Sequence, residues 1–263
     1  MTEKLIEKYA EMRIKPYRKD SEYSYTCGVF PTIELLKRKP QYVIRVAMSS
    51  ESDKSRGSDI VRELAKENGI PVVTDDKTIE RIAAKDNCLC AGVFLKYEEE
   101  IRQDTDHIVL VNPSDMGNIG TIIRTSSAFG FEDLAVITPA CDIFDPKAVR
   151  ASMGAIFGIR VKLFASFEEY LKTPHRGSQR HIYPFMLKGE KLTRQIADEA
   201  VTMSKEGEHF TLVFGNESRG LDDSYLDIGK PLLIPIRDTV DSLNLPVAVS
   251  IGEYMFSAKG EKK

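Results

Sequence analysis

Three short polar clusters hold the residue types that a binding or group-transfer site needs. The first runs Asn112-Pro-Ser-Asp-Met-Gly-Asn118-Ile-Gly120, with Arg124 further along the same helical stretch. The second is Gly215-Asn216-Glu217-Ser-Arg219-Gly220-Leu221, and the third is Asp241-Ser242-Leu243-Asn244. Glycine lets a backbone come close to a ligand, while Asn, Ser and Glu offer directed hydrogen bonds. Taken singly, each cluster reads equally well as a turn. Gly120 can serve helix packing, Glu217 can act as a capping carboxylate, and Ser242 or Asn244 can cap a helix that has Pro246 near its start. Gly117-Asn-Ile-Gly120 lacks the G-x-G-x-x-G spacing of a dinucleotide loop, and no Walker A segment or G-x-S-x-G elbow occurs. The four histidines (His107, His175, His181, His209) are scattered, so no metal is expected.

Each cluster follows an apolar run of strand length. His107–Val111 leads into the first, Phe210–Phe214 into the second, and Leu232–Ile236 precedes the third. Further strands are expected at Asp133–Thr138, Ile159–Phe164 and His181–Leu187. Helices are expected at Asn118–Phe129, from the Asp145-Pro146 start, after Ser166, over Leu192–Lys205 and at the C-terminus. On the last helix Val247, Ala248, Ile251 and Met255 fall at i, i+1, i+4 and i+8, which predicts an apolar face. Regular strand–helix alternation predicts an α/β fold, a six-stranded, mainly parallel sheet with helices on both faces. In such sheets ligands bind beyond the carboxyl ends of the strands, where these clusters stand.

Upstream lies a smaller α/β pattern. Strands are expected at Tyr42–Met48, Ile70–Val73 and Cys88–Leu95, with helices starting at Pro31, at Ser58 or Asp59, and at Asp75 or Asp76. Residues 1–26 are charged and Tyr-rich, and read as a solvated arm or short helix, or as an arm that touches RNA. The domain expectation is 1–98 for the first unit, 99–106 for a charged linker and 107–263 for the second.

The totals narrow the class. A chain of 263 residues with 42% hydrophobic and 29% charged residues is an ordinary globular composition. A formal net charge of −3 is no nucleic-acid signature, so any basic surface must be local. Apolar stretches stay at strand length and the Met-Thr-Glu-Lys-Leu start lacks a signal-peptide core, giving the expectation of a cytoplasmic protein without membrane contact. Cys27, Cys88, Cys90 and Cys141 are too few for a disulfide scaffold, and Cys88-Leu-Cys90 has the wrong spacing for a metal knuckle, so reduced thiols are expected.

In order, Asn118-Ile-Gly-x-x-x-Arg124, Gly215-Asn-Glu-x-x-Gly220-Leu and Ile234-Pro-Ile…Ser242-Leu-Asn244 resemble the three motifs of the SpoU, or TrmH-like, branch of the SPOUT RNA methyltransferases. Asp145-Pro-Lys-Ala-Val-Arg-Ala-Ser-Met-Gly154-Ala is similar to the segment between motifs one and two. The resemblance covers about residues 105–258. It departs at Pro246, where Ser is common. The first domain resembles, more weakly, a ribosomal-protein-like substrate-binding module.

The resemblance implies a trefoil knot, S-adenosylmethionine as methyl donor, a ribose 2′-hydroxyl of RNA as acceptor, and a site completed by a homodimer. Carried over by position, Arg124, Asn118, Glu217, Ser242 and Asn244 would be catalytic. Gly215, Asn216, Gly220, Ile234, Ile236, Leu243 and Asn244 would hold the cofactor. An ordinary guanidinium titrates at roughly 12 or above, so Arg124 reads either as a base with a strongly depressed pKa or as a phosphate grip. Arg13, Arg18, Lys37, Arg38, Arg150 and Arg219 are candidate RNA contacts. Ribosomal RNA is the expected substrate. The alternatives are a tRNA ribose methyltransferase or a non-catalytic RNA-binding assembly factor.

Overall fold

A computed structural model describes residues 2–10, 12, 14–52, 55–82, 88–173 and 180–257. Arg13 and His175 lie outside the described residues. Among the described residues no helix is long and apolar enough to cross a membrane. By backbone proximity the chain divides into two units. One comprises residues 1–98 with Asp142–Gly158, the other Glu99–Cys141 with Ile159–Lys263.

The first unit contains helices α1 (Thr2–Ala10), α2 (Val29–Arg38), α3 (Arg56–Glu67) and α4 (Asp76–Ile82) and strands β1 (Tyr23–Tyr25), β2 (Val43–Met48), β3 (Val72–Thr74) and β4 (Cys90–Leu95). The strands form one sheet in the order β1-β4-β2-β3. Strand β1 falls in the stretch expected as an arm. Its Tyr23 and Tyr25 are buried, and their hydroxyls accept hydrogen bonds from the backbone amides of Lys15 and Tyr17. A tyrosine-rich segment therefore enters a core because the chain beside it satisfies its polar tips.

The segment Asp142–Gly158 follows the first strands of the second unit in sequence, yet it groups with the first unit. Its anchor is Asp142, whose carboxylate accepts hydrogen bonds from Lys96 Nζ at 2.7 Å and from the Tyr17 hydroxyl. Phe144 packs edge-on against Phe94 and Tyr97, and Phe157 against Phe94. Helix α6 (Pro146–Ala151) starts as expected, with Asp145 accepting from the Lys147 amide at 2.8 Å and Pro146 in the first turn.

The second unit is a six-stranded sheet of β5 (His107–Val111), β6 (Asp133–Ile137), β7 (Arg160–Phe164), β8 (His181–Lys191), β9 (Phe210–Phe214) and β10 (Leu232–Leu233). The order is β10-β8-β9-β5-β6-β7, and every pairing is parallel. Helices α5 (Met116–Phe129), α7 (Phe167–Leu171), α8 (Arg194–Lys205) and α9 (Leu245–Phe256) cover it. On one face Val109, Ala135 and Val213 bury Phe167 and Tyr170 of α7. On the other, Gly252 of α9 lies so near Phe214 and Phe185 that a β-carbon there would come within 2.8 Å of the Phe214 ring.

Residues 99–106, expected as a linker, form neither helix nor strand but are fastened to this unit. Ile101 is buried, and Arg102 binds Asp133 through its backbone amide at 2.9 Å and its guanidinium at 3.0 Å. Strand β10 stops at Leu233, short of the expected Ile236, because Pro235 has no amide to continue a ladder. The face predicted for α9 is also rotated. Buried positions are Leu245, Pro246, Val249, Gly252, Glu253 and Phe256, while Val247 is half exposed. This helix is apolar on most of its circumference, so periodicity alone could not phase it.

Candidate functional site

Strand β5 continues through α5 to β6 on one side, while β9 continues to β10 on the other. Neighbouring strands whose connections leave in opposite directions open a crevice at their carboxyl ends, where α/β proteins bind ligands. The loops meeting at this point are Asn112–Asp115 and Gly215–Leu221.

Two sets of hydrogen bonds join the loops. Asn216 Nδ2 donates to the carbonyl of Asn112 at 2.8 Å. Its Oδ1 accepts from the amides of Ser218 at 2.9 Å and Arg219 at 3.3 Å, which closes the turn. Asn112 adopts φ +53°, a conformation that asparagine tolerates better than most residues.

The second set centres on Glu217. One carboxylate oxygen accepts from the Ser114 hydroxyl at 2.9 Å and the Ser114 amide at 3.2 Å. The other accepts from the Asp115 amide at 3.2 Å and Asn118 Nδ2 at 3.1 Å. Asp115 is itself the N-cap of α5, accepting from the Asn118 amide at 2.8 Å. Glu217 thus sits where the helix leaves free amides and favours negative charge. Burial pushes its carboxyl up, but hydrogen bonds from its own amide, Asn118 and Ser114 outweigh that and hold it below the usual range. A carboxylate held this way is an acceptor already in use, not a free base.

The cleft beside these loops encloses about 460 Å3. Its apolar wall includes Leu232, Ile234, Ile236 and Leu243, and its floor is the Gly215–Gly220 turn. Gly215 has no room for a side chain, because a β-carbon there would lie 2.1 Å from the Gly220 carbonyl carbon. Gly220 holds φ +66° and donates its amide to the Asn216 carbonyl at 2.9 Å. Two glycines therefore let the backbone double back tightly enough to present peptide groups to the cleft.

Of the expected site residues, Gly215, Asn216, Glu217, Gly220, Ile234, Ile236, Ser242 and Leu243 line this cleft, together with Arg219 at its rim. Asn118 joins them through Glu217. Asn244 does not line the cleft. It occupies the N-cap position of α9, makes no side-chain capping bond there, and accepts the Val247 and Ala248 amides at 3.0 Å through its carbonyl. Arg124 is exposed on α5 and is absent from the cleft lining.

The remaining basic candidates scatter. Arg150 groups with the first unit rather than with the cleft. Arg38 pairs with Glu34 at 2.8 Å, Arg18 pairs with Asp20, and Lys37 is exposed. Ser114 and Asp115 were not singled out among the candidates. Their positions just before a helix start, with a carboxylate-bearing motif elsewhere, were the available signal. Among the described residues no group of three or more His, Cys, Asp or Glu side chains could hold a metal ion.

A parallel α/β sheet with a ligand cleft at its switch point defines the class. Residues 106–254 match the SpoU rRNA Methylase family, and the chain belongs to that family. It is 27% identical over 194 residues to the 23S rRNA (guanosine(2553)-2′-O)-methyltransferase RlmP of Bacillus subtilis, an alignment covering 73% of this chain and 70% of that one. It is 30% identical over 154 residues to the ribosomal RNA small subunit methyltransferase G 2 of Syntrophobacter fumaroxidans, covering 59% of this chain but only 28% of the relative's length. In architecture it is similar to the SpoU methyltransferase AviRb from Streptomyces viridochromogenes, solved in complex with AdoMet. The TM-score is 0.73 at 20% identity, over 90% of this chain and 89% of that one.

Proposed function

We propose that this chain methylates a ribose 2′-hydroxyl of RNA with S-adenosylmethionine as donor, and that its substrate is ribosomal RNA. The observation that carries the reading is the Glu217 junction. It joins two motifs 99 residues apart, Asn118 and Glu217, across the switch point of a sheet whose family acts on rRNA.

The residues present fit the cofactor. The cleft volume lies within the range of small-molecule sites, the apolar wall suits an adenine ring, and Gly215 lets the Gly215–Gly220 turn close tightly beneath it, where a β-carbon would strike the Gly220 backbone. Backbone groups of the Gly215–Gly220 turn, with Ile234, Ile236 and Leu243, would hold it. When bound, its sulfonium supplies an activated methyl group. The chain's own residues then have to bring a ribose oxygen to about 3–3.5 Å from that carbon and accept its proton. Asn118 and Ser242 orient the acceptor side, and Glu217 fixes Asn118.

Arg124 is exposed and stands outside the lining of its own chain's cleft. We propose that a second copy supplies it. The exposed apolar stripe of α9, with Val247 at 47% and Tyr254 at 63% accessibility, is the surface on which that copy rests. Arg124 then grips the phosphate beside the target ribose, as a bidentate guanidinium does well. Lys37 and Arg219 are the exposed cations proposed to meet RNA backbone elsewhere. Acting on rRNA accords with a cytoplasmic location.

The test is methyl transfer from labelled S-adenosylmethionine to rRNA and, separately, to tRNA, followed by mass-spectrometric mapping of the product. The expected product is one 2′-O-methylated nucleotide in rRNA, lost when that ribose is replaced by deoxyribose. Label on a base, or transfer to tRNA alone, would overturn the reading.

A further inference from the structure

The first unit holds two thiols face to face. The sulfurs of Cys27 and Cys88 lie 2.9 Å apart, closer than ordinary non-bonded sulfur contact, and both cysteines are reduced. They are 61 residues apart in sequence, so this approach is tertiary.

The backbone on both sides holds the pair in place. Thr26 and Gly28, which flank Cys27, donate their amides to the carbonyls of Gly92 and Cys90 at 2.9 Å. Cys88 stands just before β4, buried in the core with Tyr25, Ala91 and Val93, and Cys27 packs against the same core from its rim. Access therefore differs: Cys88 is enclosed, and Cys27 is half-buried. Cys90 points elsewhere, toward Thr32, and Cys141 belongs to the second unit.

We propose that Cys27 and Cys88 form a reversible dithiol–disulfide site, oxidised by hydroperoxides and reopened by dithiols. Cys27 is the sulfur a peroxide can reach. It attacks the terminal peroxide oxygen, the O–O bond breaks, an S–O bond forms, and the thiol proton leaves with the departing oxygen as water. The Cys88 sulfur then displaces the hydroxyl of that sulfenic acid. An S–S bond forms, the S–O bond breaks, and the Cys88 proton leaves in a second water. Two thiols and one hydrogen peroxide thus give one disulfide and two waters. Contact with Cys27 and burial both push the Cys88 thiol up, so Cys88 acts second and in place, as resolving sulfur. The closed bridge restricts the unfolded chain across a long interval and raises the stability of the first unit.

The experiment uses the full-length chain treated with hydrogen peroxide, quenched with iodoacetamide and mapped by mass spectrometry without reduction. A peptide pair linking Cys27 to Cys88, lighter by two hydrogens and released by dithiothreitol, is expected, with Cys90 and Cys141 alkylated. The oxidised protein should melt several degrees above the reduced one, and Cys27→Ser should show no peroxide-dependent shift. Cys27 carried to sulfinic acid beside an alkylated Cys88, or linked between two molecules, would overturn the proposal. The mapping on unaltered protein decides the matter even if Cys27→Ser folds poorly.

Discussion

Glu253 offers the sharpest quantitative test of how this unit is packed. It lies on the buried stripe of α9 with no solvent exposure. One carboxyl oxygen accepts from the Ser126 hydroxyl of α5, and the other makes no close hydrogen bond among the described residues. Burial pushes its pKa from 4.5 up to about 8, against the smaller opposing pull of the Ser126 and Thr125 hydroxyls. The folded chain therefore keeps a proton that the unfolded chain has already lost. Stability must fall as pH rises from about 4.5 through about 8, and then level off. Each pH unit inside that window costs about 1.4 kcal/mol. From pH 5.5 to pH 8 the loss from this single group comes to about 3 kcal/mol, with the ordinary carboxyl as the unfolded reference.

Glu253→Gln removes the titration while keeping nearly the same shape and an acceptor for Ser126. Urea unfolding of both proteins at several pH values, followed through the second unit, gives the difference directly. The variant should match the unaltered chain near pH 4.5 and exceed it by a margin that grows with pH. Parallel stability curves across pH 5.5–8 would show that the carboxyl is not desolvated in solution, and the reasoning would fail.

Glu217 has the opposite sign. Its folded carboxyl is held below the ordinary 4.5, so its contribution is present above that value and fades as pH falls through the folded pKa. Glu217→Gln should cost about 1–3 kcal/mol at pH 7 by leaving the Ser114 and Asp115 amides poorly paired, and should flatten the acid limb of the stability curve. Unchanged stability at pH 7 would refute the junction. Gly215→Ala drives a β-carbon into the Gly220 backbone. It should weaken S-adenosylmethionine binding at least about tenfold by calorimetry, equivalent to ~1.4 kcal/mol, and an unaltered Kd would remove the cofactor from this turn.

The parts of this molecule that were legible in the sequence are those with a local cause. Asp145 and Ser166 cap the helices they precede, and Gly130 ends α5 with φ +84°. Alternating strands and helices likewise specified a parallel sheet. Features that depend on distant partners were not legible. Tyr23–Tyr25 looks like an arm until the Lys15 and Tyr17 amides are seen to satisfy it. The grouping of Asp142–Gly158 with the first unit rests on Lys96 and Tyr17, far away in sequence. The phase of α9 was not legible because the helix is apolar on most of its circumference, and its one acidic residue, Glu253, lies on the buried side. Its partner there, Ser126, is 127 residues away in sequence. The cleft motifs were legible as a set because three polar loops follow three apolar runs, whereas the direction of each side chain was not.

The proposed role of Arg124 turns on its direction. Asn118 and Arg124 are six residues apart on α5, which turns their side chains about 120° from one another around the helix axis. Glu217 fixes Asn118 toward the cleft of its own chain. A regular helix therefore directs Arg124 away from Asn118, and Arg124 is exposed. If a second copy receives it, the two halves of a site can be supplied by two different defective chains. Arg124→Ala has an intact cleft and no guanidinium; Gly215→Ala has the guanidinium and a displaced cofactor turn. Each should be inactive alone. Mixed in equal amounts and allowed to exchange, they should form one working site in every mixed pair, restoring about a quarter of the activity of the unaltered protein by random pairing of a two-fold dimer. Activity that stays at the level of the separate variants, despite demonstrated exchange, would refute the shared site and return Arg124 to the cleft of its own chain.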